Sequence, residues 1–269
     1  MKSFLTRLTS GLILVAFIVI TAFLGDTVMS VAYGICALIG LFELFRAVKL
    51  HETPMFFACV AASVLYYVNI ALKMTFVSYV WITGMMIVLF IIYVSCYPKY
   101  DFSDIAKSFL FFVYVPVMLS FIVFSARLDG GNYLVALIYL STWGSDTLAY
   151  CTGMLFGRHK LTPELSPKKS IEGAFGGAIG SSVMGALFGA VCYYFFGAAL
   201  RIIVYYAVTA MICGIISEFG DLTASGIKRN NDIKDFGNLI PGHGGIMDRF
   251  DSVIIVAPII YYAALYFSF

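Results

Sequence analysis

Roughly nine apolar stretches, each closed by a polar break, organise this 269-residue sequence and leave few ways to fold it. They run over about residues 4–25, 28–45, 54–72, 76–97, 108–126, 133–156, 173–199, 202–227 and 250–269. Each is near the ~20 residues that a helix needs to cross ~30 Å of hydrocarbon. The runs are continuously apolar rather than alternating, and a helix satisfies its own backbone in lipid, so the pattern predicts helices and not a barrel. With 61% apolar and only 12% charged residues, the chain lacks the polar surface that a soluble domain requires. The expectation is an all-α, polytopic integral membrane protein of about nine transmembrane helices.

The opening MKSFLTR before an apolar run resembles a signal peptide, but no small-x-small cleavage site precedes Asp26, so the run is read as a retained first span. The six cysteines form no CxxC pair and do not cluster with the three histidines, so they read as small apolar residues. No internal repeat or soluble insertion interrupts the pattern. We expect one membrane domain, with N-terminal helices over 1–130 and C-terminal helices over 131–269 that carry the site.

All but three of the seventeen lysines and arginines fall at the N-terminus or in the breaks after the second, fourth, sixth and eighth stretches. The exceptions are Lys73, Arg127 and Arg201. Such asymmetry predicts a cytoplasmic N-terminus and a cleft facing the cytosol; the expected location is the cytoplasmic (inner) membrane. The two long polar breaks, 157–172 and 228–249, lie on that same side and are where chemistry is expected.

Acids inside apolar stretches are costly, and four stand out: Glu43, Asp146, Glu218 and Asp221. Glu43 precedes Arg46 by three residues and reads as half of an interfacial pair. Asp146 has no basic neighbour within a helical turn; it reads as a site residue or as a carboxylate bonded to a hydroxyl on another helix. At 100° per residue, Glu218, Asp221, Ser225 and Lys228 fall within an arc of about 80°, a stripe that must face protein, water or a metal. PGHGG follows, then MDRFD, where Asp248 and Asp251 share one face of a turn. Asp221 and Asp248 are thereby candidates to converge on one hard cation, and an all-oxygen set of this kind suits Mg²⁺. In the earlier break, Lys168 and Lys169 beside Ser170 form a candidate polyphosphate cradle at a helix start. The plainer alternative is that the lysines obey the positive-inside rule and that Ser170 and Glu172 cap the helix. Gly173, Gly176, Gly177 and Gly180 read as helix-packing residues.

The run SGIKRNNDIKDFGNLIPGHGGIMDRFD, residues 225–251, resembles the signature of the phosphatidate cytidylyltransferases, or CDP-diacylglycerol synthases. SDTLAYCTGMLFGRHKL and SPKKSIEG resemble upstream pieces of that family, so the likeness covers about 141–252, while the first five stretches match only in character. The resemblance implies a multi-span fold, Mg²⁺ dependence with a second cation left open, and the conversion of CTP and phosphatidic acid to CDP-diacylglycerol and pyrophosphate. It also implies a homodimer among membrane lipids, with no role for nucleic acid. It assigns the metal to Asp221 and Asp248, and catalytic roles to these two with Lys228, Arg229, Lys234 and Asp235. It gives substrate contacts to Asp146, Lys168, Lys169, Ser170, Ser225, His243 and Arg249. One departure is visible. Family members commonly carry an acid before the signature serine, in a GDLxES-like string, whereas this chain has GDLTAS with Ala224, leaving Glu218 as the candidate substitute.

Two other classes stay open from the residues alone. A secondary transporter also uses intramembrane acids, though it should show flux without CTP. A CTP-using lipid kinase would share both substrate classes, but fits the run from Lys228 to Asp251 less well.

Overall fold

The computed structural model describes residues 2–74, 78–242 and 244–266; His243 and the expected span limits at 76 and 269 lie outside them. Among the described residues the helices are α1 (Lys2–Leu24), α2 (Asp26–Ala47), α3 (Pro54–Ala71), α4 (Ser78–Cys96), α5 (Phe102–Phe112), α6 (Phe121–Ala126), α7 (Gly131–Phe156), α8 (Ile171–Phe196), α9 (Arg201–Asn230) and α10 (Met247–Tyr266). A π-helical turn, Val113–Val117, follows α5, and strands β1 (Lys160–Thr162) and β2 (Ser166–Ser170) form one antiparallel hairpin.

Among the described residues, seven helical stretches are long and apolar enough to cross a membrane: α2, α3, α4, the continuous run Phe102–Ala126, α8, α9 and α10. The chain is thus a polytopic α-helical membrane protein. The seven fall short of the expected nine because α1 contributes only Thr9–Leu24 as an apolar helix among the described residues, and α7 is not in the set. Ser141, Thr142, Ser145 and Asp146 dilute the apolar character of α7.

The chain divides into two compact units. The first comprises residues 1–123 and 231–250. Here Thr53 caps α3, its Oγ1 accepting from Phe56 N, with Pro54 at the first helical position. Pro116 lies in the π-helical turn, a place where a proline within a helix is tolerated. Its carbonyl accepts from the buried Tyr67 hydroxyl at 3.0 Å, while Tyr66 and Ser120 hydroxyls pair at 2.8 Å. The Lys73 ammonium meets the Asp26 carboxylate at 3.2 Å.

The second unit comprises residues 124–230 and 251–269. Its core is α7, α8 and α9, which approach closely because small residues line their seams. A side chain at Gly177 would meet Ser145 and Ala149 of α7, and one at Gly185 would meet the backbone of Tyr206 on α9. Ser181 donates to the Ala210 carbonyl at 2.7 Å, and Ser145 to the Gly214 carbonyl at 3.3 Å. The glycines Gly173, Gly176, Gly177 and Gly180 all face α7, as expected of packing residues. Four of the six cysteines, Cys36, Cys59, Cys192 and Cys213, are buried, and all six are free thiols.

Candidate functional site

The acidic stripe of α9 meets its counter-charge on the hairpin. β2 carries Lys169, whose Nζ lies 2.5 Å from Glu218 Oε2 and 2.7 Å from Asp221 Oδ2. Glu218 is buried and Asp221 half-buried. Burial pulls the Lys169 ammonium toward the neutral form, but Asp221 and Glu218 outweigh it and hold the lysine above its ordinary range. Glu218 is therefore the ion-pair partner of Lys169 rather than a stray acid.

The hairpin is stapled at its base, where β1 begins and β2 ends. Ser170 caps α8 by accepting from Gly173 N at 3.1 Å, and its hydroxyl sits where side chains at Gly153, Gly157 or Gly173 would intrude. Glu172 accepts from the main-chain N–H groups of Arg158 and His159 and lies 2.6 Å from His159 Nδ1. Ser170 thus caps the helix, as the plainer alternative expects, whereas Glu172 turns to the chain before the hairpin; Ser170 also lines the cleft.

A cleft of about 520 Å³ opens among α7, α8, α9 and the hairpin, lined by Asp146, Tyr150, Lys160, Lys168, Lys169, Ser170, Glu218 and Asp221 among others. That is within the range of roughly 300–1,000 Å³ for small-molecule sites. Asp251, buried on α10, interacts electrostatically with Asp221, Asp146 and Lys228. Gly220 permits this crossing, since a Cβ there would lie 2.9 Å from the Asp251 carbonyl oxygen. Ser225 and Arg229 occupy the same helix but do not line the cleft. Lys160, Tyr150 and Asp251 belong to this constellation and were not singled out as site residues in the sequence.

The first unit holds a second polar cavity, about 490 Å³, formed by the signature loop and lined by Lys234, Asp235, Asn238, Ile240, Pro241, Gly242, Gly244 and Arg249. Gly242 and Gly244 adopt φ of 76° and 83°, the left-handed conformation that the turn needs. Asp248 is buried, its Oδ2 accepting from Phe236 N at 2.8 Å and Gly245 N at 2.9 Å. The loop is also tied to the N-terminal helices: Ser10 donates to the Pro241 carbonyl at 2.9 Å, and Arg46 to the Phe236 carbonyl at 2.6 Å. Glu43 accepts from Ile246 N and Met247 N. The expected Glu43–Arg46 pair survives as an electrostatic interaction, but the hydrogen bonds of both side chains reach the loop, which sits nearly two hundred residues away in sequence.

Among the described residues no three His, Cys, Asp or Glu side chains form a ready-made cation cage. The donors are carboxylate oxygens with lysines beside them. That chemistry fits Mg²⁺, which keeps several waters and fills its shell with substrate phosphates rather than with protein alone.

Residues 5–267 match the family model described as Cytidylyltransferase family. The chain is 35% identical over 263 residues to the phosphatidate cytidylyltransferase of Staphylococcus haemolyticus, covering 94% of this chain and 95% of the relative. It is 30% identical over 258 residues to the enzyme of the same name from Thermotoga maritima, covering 95% and 94%. A third match, 36% over 162 residues, is to the phosphatidate cytidylyltransferase of Staphylococcus aureus, covering 60% of each chain.

Proposed function

The chain belongs to the cytidylyltransferase family, and on that premise we propose that it converts CTP and phosphatidic acid to CDP-diacylglycerol and pyrophosphate. The observation that carries the reading is the cleft in which Lys160, Lys168 and Lys169 face Asp146 and Asp221. Lysines there suit a polyphosphate, and carboxylates suit the cation that accompanies it.

The chemistry asks little else of the protein. The phosphatidate phosphate is already an anionic nucleophile, so no strong general base is required. One of its oxygens bonds to the α-phosphorus of CTP while the bond from that phosphorus to the bridging oxygen breaks, and pyrophosphate leaves with the electron pair. What the chain supplies is placement and charge. Lys168 and Lys169, with Lys228, Arg229 and Lys234, neutralise phosphate oxygens, and Asp235, Ser170, Ser225, Arg249 and His243 orient the substrates. The signature assigns Mg²⁺ to Asp221 and Asp248, where it would withdraw charge from the reacting phosphates. Glu218 takes the part of the acid that Ala224 lacks, through Lys169. A homodimer, nine crossings of the inner membrane, and a cytoplasmic N-terminus and site complete the reading; the last rests on the charge asymmetry.

The test is pyrophosphate release by detergent-purified protein given phosphatidic acid, Mg²⁺ and either CTP or ATP. We expect lipid-dependent release with CTP and its loss, by about a hundredfold or more, in Asp221→Asn and Asp248→Asn, with both variants eluting as folded protein. Wild-type rates in either variant would overturn the assignment of that carboxylate. A CTP-dependent lipid kinase would leave CDP and release no pyrophosphate, so the product separates the two readings.

A further inference from the structure

We propose that Glu43 is a positioning residue. Carried on α2, it fixes the peptide groups from which Asp248 and Arg249 project. The residue is almost completely buried, at 4% exposure, and its carboxylate accepts from Ile246 N at 3.2 Å and Met247 N at 2.8 Å. These amides open α10, where a helix leaves its first N–H groups without internal partners and presents its positive end. A free helix start of this kind is an anion site. Here a side chain of the protein itself occupies it, so those two amides hold the loop instead of a substrate phosphate.

The surroundings are shaped to the same carboxyl group. A side chain at Gly237 or at Gly245 would collide with the Glu43 carboxylate oxygens, so each glycine makes room for the acid. One helical turn on, Arg46 donates to the Phe236 carbonyl at 2.6 Å. The N–H of that same Phe236 donates to Asp248 Oδ2, as does Gly245 N. α2 thus grips the loop at Phe236, Ile246 and Met247, and the peptide groups it grips are those that orient the Asp248 carboxylate or adjoin them. The glycines of the signature are explained in two ways: Gly242 and Gly244 by backbone conformation, Gly237 and Gly245 by the acid packed against them.

The grip stands on geometry, while its consequence for turnover rests on the cytidylyltransferase reading. Two measurements on the full-length protein in detergent separate them. Amide hydrogen exchange is compared between wild type and Glu43→Gln, which retains shape but sets an NH₂ donor against one of the two main-chain N–H groups. We expect exchange over residues 236–248 to accelerate by about tenfold or more while residues 171–196 stay unchanged. Unchanged exchange over 236–248 would overturn the grip. The Mg²⁺ concentration for half-maximal pyrophosphate release is then expected to rise severalfold in Glu43→Gln. A loosened loop with wild-type Mg²⁺ dependence and rate would overturn the positioning role. If Glu43→Gln does not fold, Glu43→Asp, which keeps the charge one methylene short, is read by the same two criteria. Wild-type protein without lipid-dependent release would count against the family reading, and the exchange result would still decide the grip.

Discussion

Lys169 lies between two carboxylates that burial makes hard to leave alone, and this gives the residue a weight that its sequence context does not show. Removing it as Lys169→Met strands Glu218 and Asp221 with no ammonium between them. The loss is expected on the order of 3 kcal/mol, read as a lower unfolding temperature in detergent, and Lys169→Met combined with Glu218→Gln should recover part of it. A double variant no more stable than the single would mean that Glu218 does not depend on Lys169. At this scale the sequence showed which residue types were unusual but not whom they meet. Glu43 stood out as an acid in an apolar stretch, yet its only visible partner was Arg46, three residues on. Its hydrogen-bond partners, Ile246 and Met247, are reached only by folding. Asp251 was visible as a neighbour of Asp248 on a turn, while its interactions with Asp146 and Lys228 follow from packing that no local spacing encodes.

The element that best connects sequence to packing is α8, where glycine replaces side-chain bulk along both seams. Gly177→Leu should destabilise the protein by at least 1–3 kcal/mol, since even a Cβ there meets Ser145 and Ala149. Gly84→Ala, in α4 with nothing within 4 Å of the added carbon, should be neutral or stabilising by up to about 1 kcal/mol. Thermal unfolding of the two variants in one detergent checks the contrast, and equal effects would refute this account of the seam. The hairpin was the element that the sequence concealed. Its strands are three and five residues long, with Pro163 just after the first and Pro167 inside the second, and too polar to alternate clearly. An isolated hairpin of that size is marginal in water; this one persists because Glu172 and Ser170 fasten it to α8.

For the molecule as a whole, apolar runs of helical length made the class of fold readable, because lipid leaves the backbone so few alternatives. The number of crossings was less readable, since a helix such as α7, with hydroxyls and an acid on it, need not look apolar. The charge asymmetry supplies a further prediction. In a background lacking the six native cysteines, Lys73→Cys should react with an impermeant maleimide from outside intact cells, and Arg158→Cys only after the membrane is opened. The reverse pattern would invert the topology. The stapled hairpin, finally, bears on how a substrate is met. Lys168 and Lys169 stand on a strand already fastened to α8, so under the proposed reading their capture of a charged headgroup need not first bring a disordered loop to order. Selectivity at that step then falls to shape and charge, and the entropy of binding is governed by the incoming lipid and nucleotide rather than by the protein.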